Sequence, residues 1–143
     1  MPTIRALRAA DTDALLAIWL RSVRATHHFL SPGDIDALLP VVRDQVLPAL
    51  EVWVLEDDGA PQAFMGLDGA TVEALFVDPA RFRRGAGRVL LAHARALKGP
   101  LRLDVNEANP DALAFYLRMG FRVIGRAPVD GQGRPFPLLH LAQ

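Results

Sequence analysis

The sequence contains no cysteine, which excludes disulfide bonds, thiolate metal sites and a cysteine nucleophile. Lysine is nearly absent, because Lys98 is the only one. The Gly-Lys pair of a Walker-type phosphate loop is therefore missing as well. The adjacent residues His27 and His28 do not indicate a metal site, since neighbouring helical residues do not face one point. We therefore expect no metal cofactor.

An excess of charge of one sign is also lacking, since sixteen basic residues balance sixteen acidic ones. This neutrality gives no reason to expect nucleic acid or a membrane as a partner. The sequence shows no secretory signal and no transmembrane segment, so we expect a cytoplasmic protein. The 143 residues and the hydrophobic fraction of 51% fit a single globular domain over residues 1–143.

Hydrophobic periodicity and turn residues predict the element order β-α-α-β-β-β-α-β-α-β-β. The first helix follows Asp11, a candidate N-cap, and the second follows Asp34. We expect Pro40 to interrupt the second helix. Asn109 is the expected N-cap of the last helix. Strands are expected over residues 3–8, 51–56, 62–67, 71–77, 101–105, 121–125 and 136–141. This order predicts a mixed sheet with helices on both faces.

The stretch over residues 71–97 reads as a strand, a basic glycine loop and a helix. A helix N-terminus offers free N–H groups and partial positive charge, and glycines allow a phosphate to approach the backbone. The nearby arginines add positive charge: Arg81, Arg83, Arg84 and Arg88. This pattern favours a di- or polyphosphate, although an ordinary turn with a solvated basic surface gives the same spacing. A dinucleotide fingerprint would need a third glycine where Leu90 stands.

Two segments together resemble a known family. ALFVDPARFRRGAGRVLL is similar to the acetyl-CoA-binding motif of the GCN5-related N-acetyltransferases (GNAT), and NEANPDALAFYLRMGFRVIGR is similar to their second signature. WLRSVRATHHFL and GRPFPLLHLA resemble the small bacterial members of the YjaB type. The resemblance implies an α/β (α+β) fold with a mixed, mostly antiparallel sheet of six to seven strands and about four helices. It also implies transfer of acetyl from acetyl-CoA to a primary amine by direct attack in a ternary complex, with CoA as product.

The resemblance assigns the cofactor contacts residue by residue. The CoA pyrophosphate is expected on the backbone of the loop formed by Arg83, Arg84, Gly85, Ala86, Gly87 and Arg88. The pantetheine arm is expected along Leu75, Phe76 and Val77, in a slot that opens toward residues 101–106. Asn106 and Asn109 match polar positions beside the arm and the thioester. Phe82 departs from the usual Gln or Arg, and we expect Arg81 and Arg83 to supply the missing charge.

The same resemblance makes Tyr116 the acid that protonates the leaving thiolate, against the alternative of a core tyrosine. Glu73 lies two residues before Leu75 and is expected on the same sheet face, as a base or simply a solvated carboxylate. His27 or His28 is a further candidate base or acceptor contact, with helix capping as the alternative.

Asp104 and Glu107 are weaker candidates for the catalytic chemistry, and we expect His93 and His140 to be structural or at the surface.

The sequence leaves the acceptor open as the amine of a small molecule, an amino acid or a peptide. It also leaves open whether the protein is a monomer or a homodimer. A non-catalytic CoA-binding module on the same fold is the remaining alternative.

Overall fold

The structure, a computed structural model, describes residues 2–143 and contains one seven-stranded sheet. The strands are β1 (Thr3–Ala6), β2 (Glu51–Asp57), β3 (Ala60–Asp68), β4 (Thr71–Val77), β5 (Arg102–Asn106), β6 (Arg122–Ala127) and β7 (Leu138–Ala142). Their spatial order is β1-β2-β3-β4-β5-β7-β6. Neighbouring strands are antiparallel except β4 and β5, which run parallel. The predicted mixed, mostly antiparallel sheet is confirmed.

Helices cover both faces of this sheet, as the element order predicts. They are α1 (Thr12–Thr26), α2 (Pro32–Val41), α3 (Leu47–Ala49), α4 (Ala86–Lys98) and α5 (Pro110–Arg118). A wider helical turn over Val42–Val46 joins α2 to α3, so these two form one continuous helical segment. No helix in the described part of the chain is both long enough and apolar enough to cross a membrane.

The sheet separates two hydrophobic clusters, one on each face. On one face, Leu90 and Ala94 of α4 are fully buried against Met65 of β3 and Leu103 of β5. On the other face, Leu15 and Ile18 of α1 are buried against Val54 of β2 and Phe64 of β3. The helices α1 and α4 are amphipathic and bury their apolar stripes against the strands, which places the sheet between two helical layers.

Asp11 directly precedes α1, but its side chain does not cap that helix. Its carboxylate instead accepts two hydrogen bonds from the guanidinium of Arg5, at 2.8 and 2.9 Å, and one from the N–H of Arg8. Arg5 also donates to Glu56 at 2.6 Å. The expected capping role was wrong, because a charged partner on β1 competes for the same carboxylate.

The second helix begins earlier than expected. Ser31 is the N-cap, its hydroxyl accepts the N–H of Asp34, and the Asp34 carboxylate accepts the N–H of Ser31. Asp34 is thus the third helical residue of a capping box rather than the cap. Pro40 lies inside α2, and the helical path continues past it to Ala49. The interruption expected at Pro40 is therefore wrong as well.

Strand β4 contains a bulge that changes which of its side chains point to each face of the sheet. Gly66 pairs with Ala74 while Leu67 pairs with Val72, so Glu73 is an extra residue on β4. As a result Val72 joins the cluster under α4, and Ala74 joins the cluster under α1. Two residues that would share one face in a regular strand therefore lie on opposite faces.

Candidate functional site

A slot opens between β4 and β5, the two parallel strands at the centre of the sheet. They are paired at only two positions, Thr71 with Arg102 and Val72 with Leu103. Beyond these pairs, residues 73–77 of β4 and 104–106 of β5 have no ladder between them. The predicted opening between these strands is confirmed, and we call this gap the slot.

Backbone groups of β4 line one wall of the slot. The N–H of Asp78 donates to the carbonyl of Gln62 at 2.9 Å, which fixes the bonded positions of the β3–β4 ladder. Because bonded pairs alternate in an antiparallel ladder, Leu75 and Val77 turn their N–H and C=O groups away from β3 and into the slot. Phe76 turns its backbone toward β3. Of the three predicted backbone contacts, the backbone direction therefore fits Leu75 and Val77 but not Phe76.

The loop between β4 and α4 lies at the open end of the slot. Its six backbone N–H groups from Arg83 to Arg88 have no hydrogen-bond acceptor among residues 2–143. Gly85 has φ of 84° and Arg83 has φ of 62°, so two residues of the loop are left-handed. Free N–H groups at the start of a 13-residue helix are suited to bind an anion, and these N–H groups belong to the loop for which the sequence predicts a phosphate.

The arginines around the loop divide into two groups. Arg83, Arg84 and Arg88 are exposed and form no ion pair with a described residue. Arg81 instead donates to the side-chain oxygen of Gln62 at 3.0 Å and lies 3.6 Å from the carboxylate of Asp57. The expectation that Arg81 adds charge to the loop was wrong, because the β2–β3 hairpin holds its guanidinium.

Tyr116 lies on α5, with its ring among aromatic side chains. Its ring centroid is 5.2 Å from that of Phe115 and 5.6 Å from that of Phe121. The phenol makes no hydrogen bond to another described residue, and burial raises the pKa of Tyr116 to about 12. The phenol is therefore protonated at neutral pH, which is the state that a proton donor needs.

Asn109 is the N-cap of α5, as predicted: its side-chain oxygen accepts the N–H of Ala112 at 3.2 Å. The residue is only 8% exposed. Asn106, at the end of β5, accepts the N–H of Asn109 on its own carbonyl at 3.0 Å. The Asn109 side chain thus orients α5 and Tyr116, and Asn106 ends the strand beside the slot.

A cavity of about 310 Å³, here called the aromatic cavity, lies between α1, α2, the ends of β4 and β5, and the β6–β7 loop. Phe76 and Asn106 form the part of its wall that belongs to the strands flanking the slot. Phe29 and Phe136 also line it, with ring centroids 5.6 Å apart. The other residues that line it are Trp19, Val23, His27, Leu30, Leu38, Asp130, Gly131, Gln132 and Arg134.

The tautomer of His27 follows from its neighbours. The Thr26 hydroxyl donates its one hydrogen to the carbonyl of Ser22 at 2.8 Å, and its oxygen lies 2.8 Å from Nδ1 of His27. This hydrogen-bond arrangement assigns the proton to Nδ1 and leaves the lone pair on Nε2. Burial, and the charge of His28, lower the pKa of His27, so the ring is neutral at pH 7. A neutral imidazole in this wall can accept a proton.

Glu73 does not share a face with Leu75, contrary to expectation. Leu75 packs against the cluster under α4. The Glu73 carboxylate lies near Asp104, on the opposite face of β5 from the buried side chains of Leu103 and Val105. Partial burial, and then the charges of Asp68 and Asp104, raise the pKa of Glu73. The bulge at Glu73 is the physical reason for this placement.

The remaining candidates from the sequence have identifiable partners. Nδ1 of His140 lies 2.6 Å from the Asp104 carboxylate on the neighbouring strand, and Glu107 pairs with Arg126. His93 packs edge-on against Trp53 with ring centroids 4.5 Å apart. His93 and His140 therefore have packing or pairing roles, as expected.

The comparisons with known proteins agree with this geometry. The family model described as the acetyltransferase (GNAT) domain matches residues 48–123, which is more than half of the chain. The chain belongs to the GNAT family. Peptidyl-lysine N-acetyltransferase YjaB of Salmonella typhimurium (strain LT2) is 44% identical over 99% of this chain and 97% of its own. YiaC of Escherichia coli (strain K12), also named a peptidyl-lysine N-acetyltransferase, is 32% identical over 89% of this chain and 88% of its own.

Solved structures show the same GNAT fold. The solution structure of apo-form YjaB from Escherichia coli has a TM-score of 0.92 and 43% identity, and the match covers 99% of this chain and 97% of that one. As a GNAT protein, the chain is an acetyl-CoA-dependent N-acetyltransferase with an amine or peptide acceptor. The predicted family, enzyme class and acetyl donor are confirmed.

One part of the candidate site was not found from the sequence. The segment between β6 and β7 supplies Asp130, Arg134 and Phe136 to the aromatic cavity, whereas the sequence analysis assigns none of these residues to a site. The paired glycines, Gly131 and Gly133, indicate a turn but not which cavity it covers. Only tertiary packing against α1 and α2 brings these residues to the site.

Proposed function

We propose that this single domain transfers the acetyl group of acetyl-CoA to the side-chain amine of a lysine in a peptide or protein. One observation carries the proposal: the slot has a phosphate-binding loop at its open end and the aromatic cavity, with neutral His27, along its flank. The names of YjaB and YiaC as peptidyl-lysine N-acetyltransferases support the choice of lysine.

The cofactor fits this slot by the chemistry of its walls. The pyrophosphate is placed on the free N–H groups of Arg83 to Arg88, with Arg83, Arg84 and Arg88 as mobile counter-charges. The pantetheine amides are placed against the backbone groups of Leu75 and Val77 that face the slot. Bound in this way, acetyl-CoA supplies an activated thioester near the base of the slot.

Each step of the acetyl transfer then has a group that can accept or donate the proton or hydrogen bond that the step requires. Nε2 of His27 accepts the proton of the lysine ammonium and leaves a neutral amine to attack. The Leu75 N–H is placed to donate to the thioester carbonyl oxygen as negative charge develops on it. Tyr116 donates its phenolic proton to the departing sulfur, so that a thiol leaves rather than a thiolate.

Glu73 is a second candidate base. The raised pKa of its carboxylate strengthens it as a proton acceptor, and it lies on the same face of the sheet as Asp104. We propose His27 as the principal base because its ring lines the cavity beside the slot, together with Phe76 and Asn106. Glu73 lines neither cavity described here.

A pair of peptides tests the choice of acceptor. One peptide carries a blocked N-terminus and one lysine, and the other carries a free N-terminus and norleucine in place of lysine. With acetyl-CoA, we expect mass spectrometry to find acetylation of the lysine peptide alone. Acetylation of only the free N-terminus would contradict the proposal of a lysine acceptor while leaving the family's enzyme class unchanged.

A further inference from the structure

A second cavity lies beside the aromatic cavity, and we call it the basic cavity. It measures about 330 Å³ and is lined by Arg24, His27, His28, Leu30, Pro32 and Ile35. His27 and Leu30 line both cavities, so the two cavities adjoin at these residues. A ligand that has its amine in the aromatic cavity can therefore reach the basic cavity with the neighbouring part of the same molecule.

The lining of the basic cavity is positive on one side. Arg24 in the last turn of α1 is exposed and forms no ion pair with a described residue. His28 is also exposed, and its ring can donate a hydrogen bond. Among the described residues no aspartate or glutamate lines this cavity. The nearest such carboxylate along the chain, Asp34, accepts the N–H of Ser31 in the capping box of α2.

We propose that the basic cavity binds a carboxylate that lies next to the acceptor amine, with Arg24 as its main partner. This inference rests on the proposed function and specifies its substrate class. The carboxylate can belong to a glutamate or aspartate one or two residues from the acceptor lysine, or to the α-carboxylate of an amino acid. The apolar part of the lining, Leu30, Pro32 and Ile35, is suited to the aliphatic carbons of such a group.

The test measures kcat/KM with blocked lysine peptides that carry Glu, Gln or Lys at one flanking position at a time. For the unaltered protein we expect, at one or two positions, about a fivefold preference for Glu over Gln, which is the upper range for a partly exposed ion pair. Arg24→Glu should reverse the order, so that Lys becomes the best residue there. Activity on the neutral Gln peptide should change little.

Arg122→Glu is the matched control, because Arg122 is exposed on β6 and lines neither cavity. This variant has the same change in net charge and should retain the preference for Glu. An equal response of the Glu, Gln and Lys peptides to Arg24→Glu would overturn the inference. Equal effects of Arg24→Glu and Arg122→Glu would also overturn it, because overall charge would then explain the result.

Free lysine and lysinamide distinguish the two sources of the carboxylate. If Arg24 binds an α-carboxylate, Arg24→Ala should remove a preference for lysine over lysinamide and leave the peptide series unchanged. If Arg24 binds an acidic side chain, Arg24→Ala should instead remove the preference for the Glu peptide over the Gln peptide. If the Arg24 variants keep the preference for the carboxylate in both series, the inference is contradicted. Failure of every lysine substrate, including the neutral peptide, would contradict the proposed function itself.

Discussion

Gly87 and Phe115 are in contact in a way that leaves no room for a side chain on the glycine. A Cβ atom on Gly87 would lie 2.9 Å from Cζ of Phe115, closer than such atoms approach in real structures. Gly87 belongs to the first turn of α4, which follows the glycine loop that ends β4, and Phe115 precedes Tyr116 on α5. The glycine therefore joins the cofactor loop to the helix that carries the candidate acid.

Replacing Gly87 with alanine should disturb the contact between α4 and Phe115. The Phe115 ring must move, and overpacking of this kind costs about 1 to 3 kcal/mol, only partly offset by the higher helix propensity of alanine. We expect a lower free energy of unfolding and a higher KM for acetyl-CoA, measured by urea denaturation and steady-state kinetics.

Two further variants isolate the contact between Gly87 and Phe115. Phe115→Leu combined with Gly87→Ala should recover most of the lost stability, because the smaller side chain makes room for the methyl group. Gly131→Ala should be nearly neutral, since a Cβ there meets no atom within 4 Å. A Gly87→Ala protein with unchanged stability and KM would show that the Phe115 ring moves away at no cost.

Tyr116→Phe should lower kcat by about a hundredfold, within the usual range for loss of a general acid. The KM for acetyl-CoA should change little, because the phenol acts on the leaving sulfur. The melting temperature should also be unaffected, since the hydroxyl makes no hydrogen bond to a described residue. A variant with kcat within twofold of the original would exclude Tyr116 as the acid.

The pH dependence of the reaction should identify the base. The pKa of His27 is lowered from its ordinary value near 6.5, so kcat/KM for the ammonium form of the acceptor should show an acid limb that falls below pH 6.5. His27→Asn keeps a donor to Thr26 and should lose this limb, with activity about a hundredfold lower. His28→Asn should retain it. Loss of the limb in Glu73→Gln alone would assign the base to Glu73.

The ion pair of Asp11 with Arg5 should make stability depend on pH. Hydrogen bonds from Arg5 lower the pKa of Asp11 in the folded protein. Its contribution is therefore present above the unfolded value of about 3.9 and is lost as the pH falls through the folded pKa.

Asp11→Asn should lower the free energy of unfolding by about 2 kcal/mol at pH 7, as expected for loss of charged hydrogen bonds. The difference from the original protein should shrink at pH values below 4. Asp13→Asn is the control, since Asp13 is exposed in the first turn of α1 and should change stability by less than about 1 kcal/mol. A difference for Asp11→Asn that stays constant from pH 7 to pH 3 would contradict the role of this ion pair.

Features determined by neighbouring residues could be predicted from the sequence. The N-cap at Asn109, the glycine loop at Gly85 and the order of strands and helices depend on short segments with clear signals. The capping box of Ser31 and Asp34 is equally local, although the sequence interpretation assigned the cap to the wrong member.

Features determined by distant partners could not be predicted in this way. The bulge that moves Glu73 to the other face depends on how β4 pairs with β3. The hydrogen bond from Arg81 to the Gln62 side chain depends on the position of the β2–β3 hairpin. The cavity wall at Phe136 forms only when the β6–β7 segment packs beside α1, and no short sequence pattern records that contact.

Amide hydrogen exchange along β4 and the following loop tests directly whether acetyl-CoA lies in the slot. We predict that acetyl-CoA slows exchange at Leu75, Val77 and the six loop amides from Arg83 to Arg88, because all of these N–H groups face the slot or lack an acceptor. The Phe76 amide, already bonded to β3, should exchange slowly with or without the cofactor. Unchanged exchange at Leu75, Val77 and the loop under saturating acetyl-CoA would contradict the placement of the cofactor in this slot.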